Sequence, residues 1–188
     1  MTDESAEDLP EFDDRLYEVV GAIASEWSTL EYAVNECIWS MSFLDDQLGA
    51  CITSQIFSLN SRLEAIRLLA RARNVSDKLQ ADINKIIQDG RDPTERRNRA
   101  VHDPFGVHEN DGIIKQLQIT GKGKLVFELR EVTLDGLIAD RTAVTAYLEK
   151  FLNLRDRIKA ELVTLQYRSG PVFPRIKRGL RETRPIES

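Results

Sequence analysis

The segment Glu95-Arg96-Arg97-Asn98-Arg99-Ala100-Val101-His102-Asp103-Pro104 concentrates the proton-transfer and anion-binding chemistry of this 188-residue chain. It contains the first of two histidines, preceded within a turn and a half by three arginines and an asparagine. Imidazole is the one side chain whose ordinary pKa lets it give or take a proton near neutrality. Guanidinium is permanently charged, and its planar fork binds two phosphate oxygens at once. A proton carrier beside phosphate-binding forks is a minimal set for cleaving a phosphodiester without a metal. Arg97, Asn98 and His102 are therefore the candidate catalytic residues, and Arg96 and Arg99 the candidate contacts to a nucleic-acid backbone.

A short helix must position them. Asp92 has the type of an N-cap, Pro93 suits the first turn, and Glu95 stands where a capping-box acid reaches back. Pro104 biases Asp103 out of the helical region, so the helix is predicted to end at about His102. The carbonyl end of the helix dipole stabilises a protonated imidazole there by roughly 0.3–1 kcal/mol. Asn98 lies one turn before His102 and is placed to orient the ring. Arg97 lies about 140° around an ideal helix from His102, a gap that two subunits span more easily than one. A purely structural alternative exists: Asn98 and His102 form a helix-end hydrogen bond that fixes the turn into Pro104, with the arginines as solvated charge.

The elements around this helix read mostly as helices. Leu16, Val19, Val20, Ile23, Trp27, Leu30, Val34, Ile38 and Met41 recur at three- and four-residue steps, predicting one long amphipathic helix. After Asp45-Asp46, Ile52, Ile56, Leu59, Leu63, Ile66 and Leu69 predict a second helix ending near Asn74. Ser76 is the expected N-cap of a third, through Leu79, Ile83, Ile86 and Ile87, with Gly90 closing it. Beyond the motif the period changes to two. Ile113, Leu117 and Ile119 share one strand face, Gly121-Lys122-Gly123 turns the chain, and Leu125, Phe127 and Leu129 alternate back, a β-hairpin at about 112–131. From Leu134 to about Leu165 the helical period returns through Leu137, Ile138, Val144, Tyr147, Leu148, Phe151, Ile158 and Leu162. The expected fold class is all-α, an antiparallel helical bundle of two long and two or three shorter helices over residues 13–166 with one inserted hairpin. Residues 1–12 read as a disordered acidic leader and 167–188 as a loosely held basic tail.

Apolar and charged fractions of 41% and 30% are those of a soluble globular domain. No run approaches the roughly 20 apolar residues of a membrane span, and the acidic N-terminus is no secretory signal, so a cytoplasmic protein is expected. Cys37 and Cys51 fall in helical patterns and read as two buried, reduced thiols. The net charge of −5 opposes a polyanionic partner, but its distribution does not. Seven acids and no base lie in 1–14, whereas 62–99 carries ten bases against six acids and 168–184 six against one. Such a chain can present a local basic face, although runs of this kind are commonly solvated helix surface. His102, Asp103, His108, Glu109 and Asp111 match no zinc-ligand spacing, so no metal or cofactor is expected. Trp27 and Trp39 read as core or dimer interface, and Glu31, inside an apolar stripe, as a partner for an arginine of the motif helix. No phosphate-binding glycine loop or nucleophile elbow is present.

Arg97-Asn98-Arg99-Ala100-Val101-His102 resembles the hallmark of the HEPN superfamily, an arginine, four to six residues, then a histidine, often with a polar residue directly after the arginine. Asn98 stands in that polar place. The helical body is similar too, with the motif on a short helix. The resemblance implies a homodimer in which the motif helices meet across a two-fold axis in one composite cleft. It also implies metal-independent cleavage of RNA to a 2′,3′-cyclic phosphate, in a stress, toxin–antitoxin or phage-defence setting with an antitoxin or defence partner protein. Members silenced by a nucleotidyltransferase antitoxin carry a tyrosine two residues after the histidine. Pro104 stands there, so the resemblance does not extend to that mode of silencing. The alternative is a non-catalytic helical dimer that docks a protein or nucleic acid.

Overall fold

In the computed structural model, which describes residues 14–121 and 125–168, the first apolar stripe winds into α1 (Asp14–Ser42) and the last into α6 (Leu134–Arg168). These two helices pack along their lengths and supply most of the core. Ile23, Leu30, Val34 and Met41 of α1 and Val144, Phe151 and Ile158 of α6 are fully enclosed. Each such side chain contributes roughly 1.5–3 kcal/mol on leaving water. Ion pairs flank the seam: Arg141 binds Glu26 at 2.9 Å, and Arg155 and Lys159 each reach Glu36 at 3.1 Å. Cys37 lies inside it, where burial pushes its thiol up to about 12 and leaves it inert. Cys51 is instead exposed, against the expectation of two buried thiols. Trp27 and Trp39 are both core residues.

The predicted second helix is two helices, α2 (Asp46–Thr53) and α3 (Leu59–Ala72). The break has polar causes that hydrophobic spacing does not register. The Thr53 hydroxyl donates to the Gly49 carbonyl at 2.9 Å and accepts from the Trp39 indole at 3.1 Å. Ser58 then caps α3, its Oγ accepting from the Ser61 amide at 3.0 Å. Arg62 holds the intervening segment by donating to the Ile56 carbonyl at 2.8 Å. Ile52 and Phe57 consequently face solvent. Next comes α4 (Asp77–Asp89), capped by Ser76 as its sequence predicts.

Only Gly90 separates α4 from α5 (Arg91–His102), which ends where Pro104 predicts. Three antiparallel strands follow in the order β1 (Phe105–Val107), β2 (Ile114–Gly121), β3 (Leu125–Glu131). The hairpin is present, with Leu117 opposite Leu129 and Ile119 opposite Phe127. Strand β1 was not anticipated; at three residues it is too short to show an alternation. The sheet lies inverted on the bundle. Gln116 and Gln118 are buried, and the Gln116 amide donates to the Arg99 carbonyl at 2.7 Å, pinning β2 to the end of α5. Ile119, Leu125, Phe127 and Leu129 point outward, and no strand pairs with the outer edge of β3 among the described residues. The turn residues Lys122-Gly123, the leader and nearly all of the tail lie outside the described residues.

The α4–α5 corner is closed by Tyr147, 2% exposed, whose hydroxyl donates to the Ile86 carbonyl at 3.1 Å. A Cβ on Gly90 would overlap that hydroxyl and stand 2.8 Å from Tyr147 Cζ. Gly90→Ala is expected to lower unfolding free energy by about 1–3 kcal/mol in urea titration, the usual cost of overpacking. Adding Tyr147→Phe removes the clashing oxygen, so the double variant should lose less than the two single losses combined. Strict additivity would place the clash elsewhere.

Candidate functional site at the end of α5

Helix α5 begins without a side-chain cap. Gly90 is the N-cap residue, not Asp92, because α4 runs into the corner with no room for an extra capping residue. Asp92 lies in the first turn and accepts from Arg96 at 2.7 Å, while Glu95 accepts from Arg99 at 2.9 Å. Pro93 and Ala100 face the core, so one side of α5 is buried and its arginines divide between two others.

Arg97 runs over Trp27, its guanidinium carbon 5.5 Å from the ring centroid, and then turns to the helix end. Its Nη1 donates to Asn98 Oδ1 at 2.9 Å and lies 2.8 Å from His102 Nε2. The angular gap that favoured two subunits is therefore spanned within one chain by the length of the arginine. A guanidinium has only donors, so His102 Nε2 accepts and the ring carries its proton on Nδ1. Asn98 orients Arg97, and Arg97 the imidazole. Asn98 and His102 are solvent-exposed while the Arg97 stem is half-buried. Arg97 Nε is enclosed without an acceptor among the described residues.

Arg96 and Arg99 lie on another side of α5. Arg96 donates to Asp92 and, at 2.7 Å, to Asp140 of α6; these two carboxylates, Asp92 first, raise its pKa above the usual guanidinium value. Arg99 also approaches Asp103 at 3.7 Å. Both line a cavity between α5, the sheet and α6 that Arg97 does not enter.

Beside Arg97 is a different cavity, of about 540 Å³, between α1, the α2–α3 break and the start of α5. Trp27, Glu31, Phe57, Asn60, Arg91, Arg97 and Asn98 are on its walls. Glu31 makes no ion pair with the motif helix or any other described residue, contrary to its expected role. Phe57, Asn60 and Arg91 had no visible signal in the sequence. They come together only because the chain leaves the helix after Thr53.

His108 is engaged within its own loop, its Nδ1 3.0 Å from Asp111. Lys115, chiefly, together with the Ile113 amide and His108, holds the Asp111 carboxyl down at about 2. Among the described residues, no three His, Cys, Asp or Glu side chains group to hold a metal ion. No described helix is long and apolar enough to cross a membrane.

Comparison with protein-family models, curated proteins and solved structures finds no match.

The Arg97–His102 contact has a spectroscopic signature. With two histidines in the chain, ¹⁵N shifts of neutral imidazole can be assigned by substituting His108. His102 is expected to be the Nδ1–H tautomer in the parent chain and to move towards Nε2–H in Arg97→Ala. An Nε2–H ring in the parent chain would mean that Arg97 does not donate to it.

Proposed function

We propose that this protein is a metal-independent endoribonuclease of HEPN type, with Arg97, Asn98 and His102 as its catalytic group. The observation that carries the reading is the Arg97–His102 hydrogen bond at an exposed helix end. It joins a permanent cation and a titratable base within 2.8 Å, in a chain whose other histidine is committed to a loop. A phosphate offers the guanidinium an opposite charge and two oxygens for its fork, whereas a neutral imidazole offers one uncharged nitrogen. An RNA phosphate therefore draws the guanidinium away from Nε2. The freed nitrogen takes the proton of the ribose 2′-hydroxyl as O2′ attacks phosphorus and the bond to O5′ breaks. Arg97 offsets the charge that builds on the phosphate oxygens, and Asn98 keeps its fork aimed there. A homodimer through α5 brings two such pairs to one cleft, one imidazole accepting the 2′ proton and the other, protonated, giving one to the 5′-oxygen. Arg96 and Arg99 shape the helix through their carboxylate partners, with outer faces available to the RNA backbone. The setting is stress, toxin or phage defence in the cytoplasm, with an antitoxin or defence protein as partner.

A second reading, a helical dimer that only docks partners, is favoured by the exposed apolar face of the sheet. Ile119, Leu125, Phe127 and Leu129 form a patch of the kind that marks protein interaction sites.

Incubation of mixed RNA with the full chain in EDTA separates the two. Cleavage leaving 2′,3′-cyclic phosphate and 5′-hydroxyl ends is expected, falling by about 10²–10⁴ in His102→Ala and about 10²–10³ in Arg97→Ala. Arg97→Lys should rescue little, since lysine offers no fork. Inhibition by EDTA would overturn the mechanism. A folded dimer that cuts nothing would leave the docking reading.

A further inference from the structure

The cavity beside Arg97 holds three polar side chains with no partner among the described residues: Glu31, half-buried on the wall, and Asn60 and Arg91 at the mouth. Its two hydroxyls already have partners. Thr94 donates to the Gly90 carbonyl, and Ser58 accepts from the Ser61 amide. Phe57, 88% exposed, stands on the rim, and Trp27 forms an apolar wall. A volume of about 540 Å³ is in the range of small-molecule sites. An unpaired carboxylate inside, donors at the mouth and an aromatic ring on the rim match a planar heterocycle with two adjacent N–H donors on one edge and acceptors on another.

Among the RNA bases only guanine has that pattern. Its N1–H and N2–H₂ present two parallel donors to a carboxylate, and its O6 and N7 accept from an arginine or amide. Adenine and cytosine each turn a ring-nitrogen acceptor towards a carboxylate, and uracil offers a single donor between two carbonyls. We propose that this cavity is a guanine-recognition pocket, with Glu31 as the specificity-determining residue and Phe57 as a stacking platform. Because Arg97 and Asn98 form one wall of the cavity, the base held there is next to the phosphate they engage. The proposal rests on the RNA-cleavage reading and names its substrate class: RNA cut beside a guanosine.

The test is binding of uncleavable 2′-O-methyl dinucleotides GA, AG and AA to the full chain, measured by calorimetry. One guanine-containing dinucleotide should bind on the order of tenfold or more tighter than AA. Inosine, which lacks the N2 amine, should recover only part of that preference. Glu31→Gln should abolish the preference for guanine over adenine, and Phe57→Ala should weaken every dinucleotide by about tenfold. Equal affinities for all dinucleotides, or a preference that survives Glu31→Gln, overturns the pocket assignment. The inosine arm needs no variant, so a misfolded substitution does not hide the answer. Cleavage of the parent ribonucleotides separates the two layers. Guanine-selective binding without cleavage sinks the ribonuclease reading alone, whereas cleavage without base preference sinks the pocket alone.

Discussion

Inside the core, the Tyr147 hydroxyl of α6 donates to the Ile86 carbonyl at the end of α4, and the bare α-carbon of Gly90 lies against the same ring. With a single residue between helices, this contact sets the direction in which α5 departs. Tyr147 is held there by burial, which together with Asp89's charge pushes its hydroxyl up to about 12, so it stays a neutral donor. Asp140, less than two turns before Tyr147 on the same helix, grips Arg96 and stops α5 from rolling. Gln116 closes the other end at the Arg99 carbonyl. Three attachments to rigid elements thus hold a twelve-residue helix whose apolar side, with Pro93 and Ala100 buried, is small. Arg97 and His102 inherit that fixity.

Such an arrangement divides three arginines by their partners. Arg96 and Arg99 are paired with carboxylates that fix the position of the helix, while Arg97 makes no ion pair with a described residue and is steered by Asn98 and the Trp27 ring. Surface ion pairs of this kind contribute little to stability individually. Their value lies in orientation, because a bidentate fork must be aimed before it discriminates.

Periodicity made the long helices legible. The stripes of α1 and α6 are regular because each is buried against the other, and Ser76 and Pro104 marked their helix ends through local backbone chemistry. What depended on tertiary context stayed hidden. Thr53 ends α2 because Trp39 is within reach, a relation across fourteen residues that no local window contains. The strand pattern of 113–129 was visible, but not which face would meet the bundle; the glutamine face does, and there the Gln116 amide adds a second hydrogen bond to the Arg99 carbonyl, which also accepts from the Asp103 amide. At the site, the motif was legible as a spacing and its single-chain geometry was not, because an ideal helix ignores how far an arginine reaches. Glu31 and Phe57 belonged to no motif at all.

The sheet has a consequence for how this protein behaves in quantity. Among the described residues strand β3 pairs on one side only, and its sequence Leu125-Val126-Phe127 is apolar and β-prone before Glu128, Arg130 and Glu131 bring in charge. A free edge of that composition is a template on which further strands add, and only the charged half opposes it. Solubility at high concentration is therefore governed by a handful of side chains on that strand, whatever the core's stability.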